Sequence, residues 1–205
     1  MTILFSGNDF KYEIEAVAKL FFGAEKFSFV YEGDISEFDG DIISVKRTTE
    51  TQEASLSVSV RLSDKTFARS DTLLFSSDNY ENECELKLCR LLYLCLKKLT
   101  GITPSWGILT GIRPVKKVNA LIDEEKTKEE ISWYLKEKYF VSDDKINLSY
   151  LTSVTQKPLL SIPEKSFSLY VSIPFCPTRC SYCSFVSHSM DSAVKLIPDY
   201  IEKLC

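Results

Sequence analysis

Three cysteines near the C-terminal end of the chain have the spacing of a metal-binding loop. Cys176, Cys180 and Cys183 follow the pattern C-x3-C-x2-C, so three thiols fall within eight residues. Thiolates are soft ligands that select iron–sulfur clusters, zinc or Cu(I). A cubane [4Fe–4S] cluster has four irons, so three cysteine ligands leave one iron open to chelation by the amino and carboxylate groups of a small molecule. The spacing therefore predicts a [4Fe–4S] cluster placed next to a bond that it can reduce.

The same loop leaves two alternatives open. His188 is the one histidine of the sequence, and it could complete a Cys₃His zinc site, although structural zinc sites usually take their ligands from two separated pairs. A chain clipped by zinc in this way would be an interaction domain rather than an enzyme. In the second alternative, the three thiols are free side chains of a surface loop and bind no metal.

The wider sequence around the cysteines carries a family resemblance. The spacing, with Tyr182 directly before the third cysteine, resembles the signature of the radical S-adenosylmethionine enzymes. The string LYVSIPFCPTRCSYCSF at residues 169–185 is similar to one branch of them, the oxygen-independent coproporphyrinogen III oxidases and their relatives. The resemblance implies that Cys176, Cys180 and Cys183 ligate three irons of the cluster. It also implies that Tyr170 contacts S-adenosylmethionine and that Tyr182 packs near its adenine.

The resemblance further implies a reaction. The reduced cluster cleaves the sulfonium bond of S-adenosylmethionine, and the 5′-deoxyadenosyl radical abstracts hydrogen from a propionate side chain of coproporphyrinogen III. Decarboxylation then yields the vinyl groups of protoporphyrinogen IX, a step of haem biosynthesis. The cofactors carry the difficult chemistry, so no catalytic side chain is assigned beyond the cluster loop. The expected partners are the porphyrinogen substrate and a reductant protein of unknown identity.

Two features of the sequence point to different relatives within this family. Phe185 stands where the oxidases have a fourth cysteine and Ser172 where they have a histidine; Phe185 with Ser187–His188 is closer to the haem-chaperone relatives. The long region before the loop, with SWGILTGIRPVKK at residues 105–117, is instead similar to bacterial coproporphyrinogen dehydrogenases with a long N-terminal domain. We therefore expect an oxidoreductase, and a haem-binding carrier is the alternative.

The segment at residues 105–117 also has two interpretations of its own. Arg113, Lys116 and Lys117 are three cations within five residues, which could bind an anionic ligand. The simpler interpretation is a loop followed by a helix whose first position is Pro114.

The region before the cysteine loop predicts an α+β domain over residues 1–165, built from an antiparallel sheet plus helices. Alternating apolar and polar residues predict strands, and apolar residues at helical spacing predict helices. The expected strands are 2–6, 26–31, 41–48, 54–62 and 66–75, and the expected helices are 10–22 (with Asp9 as its cap), 80–100, 114–122, 126–140 and 143–156. Three further cysteines, Cys84, Cys89 and Cys95, lie in the helix 80–100, where burial in the core is their expected role.

A connector precedes the cysteine loop. Residues 157–166, KPLLSIPEKS, contain two prolines and no periodicity, so a second domain is expected to occupy residues 166–205. Its strand at 168–173, its cysteine loop and its helix-compatible segment at 191–204 predict the first strand, cluster loop and helix of a truncated radical S-adenosylmethionine (β/α) barrel. Because a full α/β barrel takes about 250 residues, this chain alone is expected to be inactive.

Composition limits the remaining function classes. The 25 basic and 29 acidic side chains give a net charge of −4, which disfavours a nucleic-acid partner. The odd number of seven cysteines is atypical of a secreted disulfide framework and indicates a reducing compartment. No stretch approaches the ~20 apolar residues of a membrane span, and the N-terminus has no basic leader. The expected protein is cytoplasmic.

Overall fold

A computed structural model of the chain describes residues 1–75, 79–111, 113–159, 165–178, 180, 183 and 185–205. The chain divides into two compact units, Met1–Leu160 and Ser161–Cys205. Among the helices of these residues, none is long and apolar enough to cross a membrane.

A five-stranded mixed sheet forms the centre of the first unit, in the strand order β2-β1-β3-β4-β5. Its strands are β1 (Thr2–Ser6), β2 (Ser28–Tyr31), β3 (Ile42–Thr49), β4 (Glu53–Leu62) and β5 (Lys65–Leu74). The predicted α+β class is confirmed, and strands β3, β4 and β5 form the expected antiparallel meander.

The prediction of an antiparallel sheet is wrong for β1, which runs parallel to both of its neighbours, β2 and β3. Helix α1 (Lys11–Phe22) lies between β1 and β2 in the sequence and carries the chain back before β2 begins. A crossover of this kind makes two strands parallel, whereas a tight hairpin makes them antiparallel. Asp9 does not cap α1: the N-cap residue is Phe10, and no side chain caps the helix there.

Helix α2 (Tyr80–Thr100) packs on the sheet and supplies most of the main core. Every second residue of β4 is buried, namely Ala54, Leu56, Val58 and Val60, because successive strand side chains point to opposite faces. These residues share one hydrophobic cluster with the buried face of α2 and with residues of α1. Gly101 ends α2 in the left-handed conformation, at φ +73°, as a C-terminal glycine is expected to do.

Three shorter helices complete the first unit: α3 (Val115–Asp123), α4 (Lys128–Tyr139) and α5 (Asp143–Leu159). They enclose a second, smaller core made by Val118, Ile131, Leu135, Val141 and Ile146. Pro114 stands at the N-cap of α3 rather than at its first position. Helix α4 begins with a capping box, in which Thr127 and Glu130 satisfy each other's backbone N–H groups.

The second unit contains little regular structure among its described residues. Strand pairing there is confined to β6 (Phe175–Cys176) and β7 (His188–Ser189), which run parallel. The predicted strand at 168–173 is wrong: these residues form no ladder, and Leu169, Tyr170 and Ile173 are exposed. A strand requires hydrogen bonds to a neighbour, and the described part of this unit places no strand beside them. An alternating pattern of apolar and polar residues is therefore not sufficient to form a strand here.

Candidate functional site

The cysteine loop is closed at its base by a short parallel pairing. Phe175 pairs with His188 and Cys176 with Ser189, and the His188 N–H donates to the Pro174 carbonyl at 2.7 Å. The two ends of the cysteine segment, at Cys176 and His188, are therefore held together. Cys176 belongs to the strand pairing at the start of this segment, and Cys180 and Cys183 lie between the two paired ends.

All three loop cysteines are free thiols that solvent reaches. Cys176 and Cys183 are partly buried and Cys180 is exposed. The Cys183 N–H donates to the Cys180 carbonyl at 3.1 Å, so a backbone turn brings these two residues close along the chain. Thiols that are accessible and carried on one anchored loop are a suitable donor set for an iron–sulfur cluster. In the described part of the chain no three His, Cys, Asp or Glu side chains are gathered closely enough to hold a metal.

The core cysteines are unsuitable as ligands. Cys84, Cys89 and Cys95 are all buried in α2, which confirms the predicted core role. Burial raises the pKa of Cys95 to about 11 and also raises that of Cys89 far above its ordinary range. Since the thiolate is the metal ligand, the raised pKa values make Cys89 and Cys95 poor candidates for metal ligands at neutral pH.

His188 lies on the other face of the β6–β7 pair from Cys176. Its ring faces that of Phe175, with centroids 6.4 Å apart, as expected for side chains that are paired across a ladder. Cys176 follows Phe175 directly, and successive strand side chains alternate between faces. The imidazole is therefore directed away from the first loop cysteine, which disfavours the Cys₃His zinc alternative.

A helical segment follows the loop, as predicted for residues 191–204, but it is interrupted. Helix α6 (Met190–Ala193) begins at Ser189, whose hydroxyl accepts from the Asp191 N–H at 3.3 Å. A 3₁₀ turn at Val194–Leu196 separates it from α7 (Ile197–Leu204). The Tyr200 ring packs edge-on against Phe175 at 5.3 Å, and its hydroxyl donates to the Ser172 carbonyl. Helix α7 therefore holds the chain on the N-terminal side of the loop.

The two predicted cofactor contacts stay predictions. Tyr170 is 77% exposed, so its side chain is free to meet a ligand, and Tyr182 lies outside the described residues. Sequence reasoning missed the roles of Phe175 and Tyr200 in anchoring the loop. Tyr200 is separated from Ser172 by 28 residues, and no local pattern in the sequence links the two positions.

Comparisons with known proteins give one informative relative. No protein-family model matches the chain. The chain is similar to HemZ of Bacillus subtilis, an oxygen-independent coproporphyrinogen-III oxidase-like protein, with 29% identity over 197 residues. The alignment covers 92% of this chain and 38% of the relative, so the chain spans less than half of that protein's length.

Among solved structures, protein VC0702 from Vibrio cholerae is similar over 78% of this chain and 94% of that one, with 10% identity and a TM-score of 0.25. A likeness this weak supports no argument. The resemblance inferred from the cysteine loop is confirmed by the curated relative: the chain is similar, over nearly its whole length, to an oxygen-independent coproporphyrinogen-III oxidase-like protein.

Proposed function

We propose that the chain carries the cluster loop of a radical S-adenosylmethionine oxidoreductase that acts on coproporphyrinogen III. The observation that supports this most directly is the C-x3-C-x2-C loop, whose three thiols are free, accessible and held at one end by the β6–β7 pairing. The similarity to HemZ supports the same class of substrate. Turnover to protoporphyrinogen IX is proposed for a protein of the relative's length, and the 205-residue chain by itself is proposed to be inactive.

Within this proposal the chain's own residues have defined tasks. Cys176, Cys180 and Cys183 hold three irons, and Tyr170 and Tyr182 position S-adenosylmethionine. The Pro174 carbonyl, Phe175 and Tyr200 hold the base of the loop, so they would orient the cysteines toward a bound cluster. When bound, the [4Fe–4S] cluster supplies the electron that cleaves the sulfonium bond. The cysteine loop and the helical segment after it remain proposed as the start of a (β/α) barrel, with residues 1–165 as the proposed accessory domain and 166–205 as the proposed start of the catalytic domain.

Anaerobic reconstitution with iron and sulfide tests the cluster. We expect about four irons per chain, a broad thiolate-to-iron absorption in the visible, and loss of both in Cys176→Ser, Cys180→Ser and Cys183→Ser. The matched control is Cys205→Ser, which removes an exposed thiol outside the loop and should keep its iron. Reconstitution that yields zinc alone, or iron that persists in Cys180→Ser, would refute the proposal.

A haem-binding carrier is the second candidate, and the exposed imidazole of His188 favours it because histidine is a common axial ligand of haem iron. Titration of haem into the chain, followed by its Soret absorption, separates the two functions. Haem uptake that is abolished in His188→Ala, with no loss of coproporphyrinogen in an anaerobic assay of a protein of the relative's length, would favour the carrier. Iron loading without haem uptake would favour the oxidoreductase.

A further inference from the structure

Seven described residues between Leu109 and Lys117 line an open cavity in the unit Met1–Leu160. The cavity has a volume of about 660 Å³, within the range of about 300–1,000 Å³ typical of small-molecule sites. Arg113, Lys116 and Lys117 contribute three cations to its wall, and Leu109 and Pro114 contribute apolar surface. The described residues of the wall include no carboxylate, so the charged side chains of the wall itself are all cations, which attract anions.

Two of the three cations are free to meet a ligand. Within the described part of the chain, the side chains of Arg113 and Lys116 have no ion-pair or hydrogen-bond partner. Lys117 is held in place instead: its ammonium donates to the Tyr139 hydroxyl at 2.9 Å and lies 4.7 Å from the centre of that ring. The wall therefore combines one fixed charge with two that are unpaired.

Backbone packing fixes the position of this wall. The Ile108 N–H donates to the Tyr139 carbonyl at 2.8 Å, which ties the segment to the end of α4. Gly107, at φ +58°, approaches so closely that an added Cβ would lie 1.9 Å from the same carbonyl oxygen. These contacts fix the backbone at the start of the segment, and the hydrogen bond from Lys117 to Tyr139 holds one of the three charges in place before any ligand arrives, which reduces the cost of binding.

The N-terminus of α3 adds little to the site. The N–H groups of Lys116 and Lys117 already donate to the carbonyls of Arg113 and Pro114, each at 3.1 Å. Pro114 itself has no N–H. An anion in the cavity would therefore bind mainly to side chains rather than to the first turn of the helix.

We propose that this cavity binds a small molecule that carries two or more oxyanion groups, either carboxylates or phosphates. Arg113 and Lys116 are its main contacts and Lys117 is a third, fixed charge. A guanidinium pairs with such groups through two parallel hydrogen bonds, and an ammonium pairs as a point charge. Leu109 and Pro114 contact the apolar body of the ligand. The proposal does not rest on the proposed iron–sulfur function, because every lining residue named here lies in Met1–Leu160.

Calorimetric titration of the full 205-residue chain tests the proposal with two probes, inorganic pyrophosphate and the tetracarboxylate coproporphyrin III. We expect at least one probe to bind, and its affinity to fall about tenfold or more in Arg113→Gln and in Lys116→Gln. Binding should also weaken as salt concentration rises. The matched control is Lys98→Gln, which removes an exposed charge at the far end of α2 and should leave the affinity unchanged.

The outcomes separate the two sources of oxyanion. Pyrophosphate binding that depends on Arg113 supports a phosphate ligand, and coproporphyrin binding that depends on Arg113 supports a carboxylate ligand. Failure of both probes at millimolar concentration overturns the proposal, and so does an equal loss of affinity in Lys98→Gln. Circular dichroism confirms that the variants are folded. Cys180→Ser should bind the probe like the unaltered chain, so the result is independent of the cluster.

Discussion

At the scale of single residues, Glu85 on α2 opposes folding at neutral pH. Burial, and then the nearby Glu13 carboxylate, raises the pKa of Glu85 above its ordinary 4.5. The folded chain therefore binds this proton more tightly than the unfolded chain does, and the penalty is relieved as pH falls through the raised pKa. We expect Glu85→Gln to increase the free energy of unfolding at pH 7, and the gain to shrink as pH falls through the raised pKa and to disappear below 4.5.

Urea unfolding of the unaltered chain and of Glu85→Gln, at several pH values from 7 to below 4.5, measures how the gain in the free energy of unfolding depends on pH. The control is Glu124→Gln, which removes the same charge from an exposed position. A gain of equal size at every pH would contradict the prediction, because it could not come from titration of this carboxyl.

Gly107 gives a second prediction at this scale. A Cβ at this position would lie 1.9 Å from the Tyr139 carbonyl oxygen, whereas one at Gly101 would meet nothing within 4 Å. Both glycines have positive φ, which costs an L-residue about 1–2 kcal/mol. Gly101→Ala should lose about that free energy of unfolding, and Gly107→Ala should lose clearly more because backbone atoms must also move apart. Equal losses in the two variants would contradict the prediction, because they would mean that the backbone of Tyr139 leaves room for a Cβ at position 107.

Residue types and local spacing were enough to predict that one group of cysteines is buried in the core, and they predict a ligand role for the other group. Cys84, Cys89 and Cys95 fall among leucines at helical spacing, and Cys176, Cys180 and Cys183 fall in a short loop with prolines. The contact between Lys117 and Tyr139 was not predictable, since these residues are 22 positions apart. Only the packing of α3 against α4 brings them together.

At the scale of elements, the capping box of α4 is the clearest local determinant of a helix start. The Thr127 hydroxyl accepts from the Glu130 N–H at 3.2 Å, and the Glu130 carboxylate accepts from the Thr127 N–H at 2.8 Å. Thr127→Ala should reduce the free energy of unfolding by about 1 kcal/mol, measured by urea unfolding. Glu130→Gln should change it less, since glutamine also completes a capping box. Thr51→Ala, in an exposed turn, is the control. If it lowers the free energy of unfolding as much as Thr127→Ala does, the capping hydrogen bonds do not stabilise the fold.

Helices and strands were predictable where the local sequence pattern determines their structure. The antiparallel meander β3–β4–β5 is joined by short turns, so alternation and turn residues suffice. The parallel pairing of β1 depends on where α1 carries the chain, and residues 168–173 alternate without a neighbouring strand. In both cases hydrogen bonding between distant segments, rather than the local sequence, decides the structure.

At the scale of the whole molecule, the two proposed functions use different parts of the chain. The anion cavity belongs to Met1–Leu160, and the cysteine loop belongs to Ser161–Cys205. Both hydrophobic clusters also draw all their members from the first unit, between Met1 and Tyr150. Among the described residues, nearly all of the buried apolar side chains that drive folding therefore lie within that unit.

This distribution predicts that residues 1–160 fold without the cysteine loop. A chain of these residues should show a cooperative thermal transition by circular dichroism and should keep the anion affinity of the full chain. Leu92, fully buried in α2, provides the control: Leu92→Ala should lower the free energy of unfolding by about 2–5 kcal/mol in both the short and the full chain. A short chain that unfolds without cooperativity would mean that the loop unit is needed to complete the core.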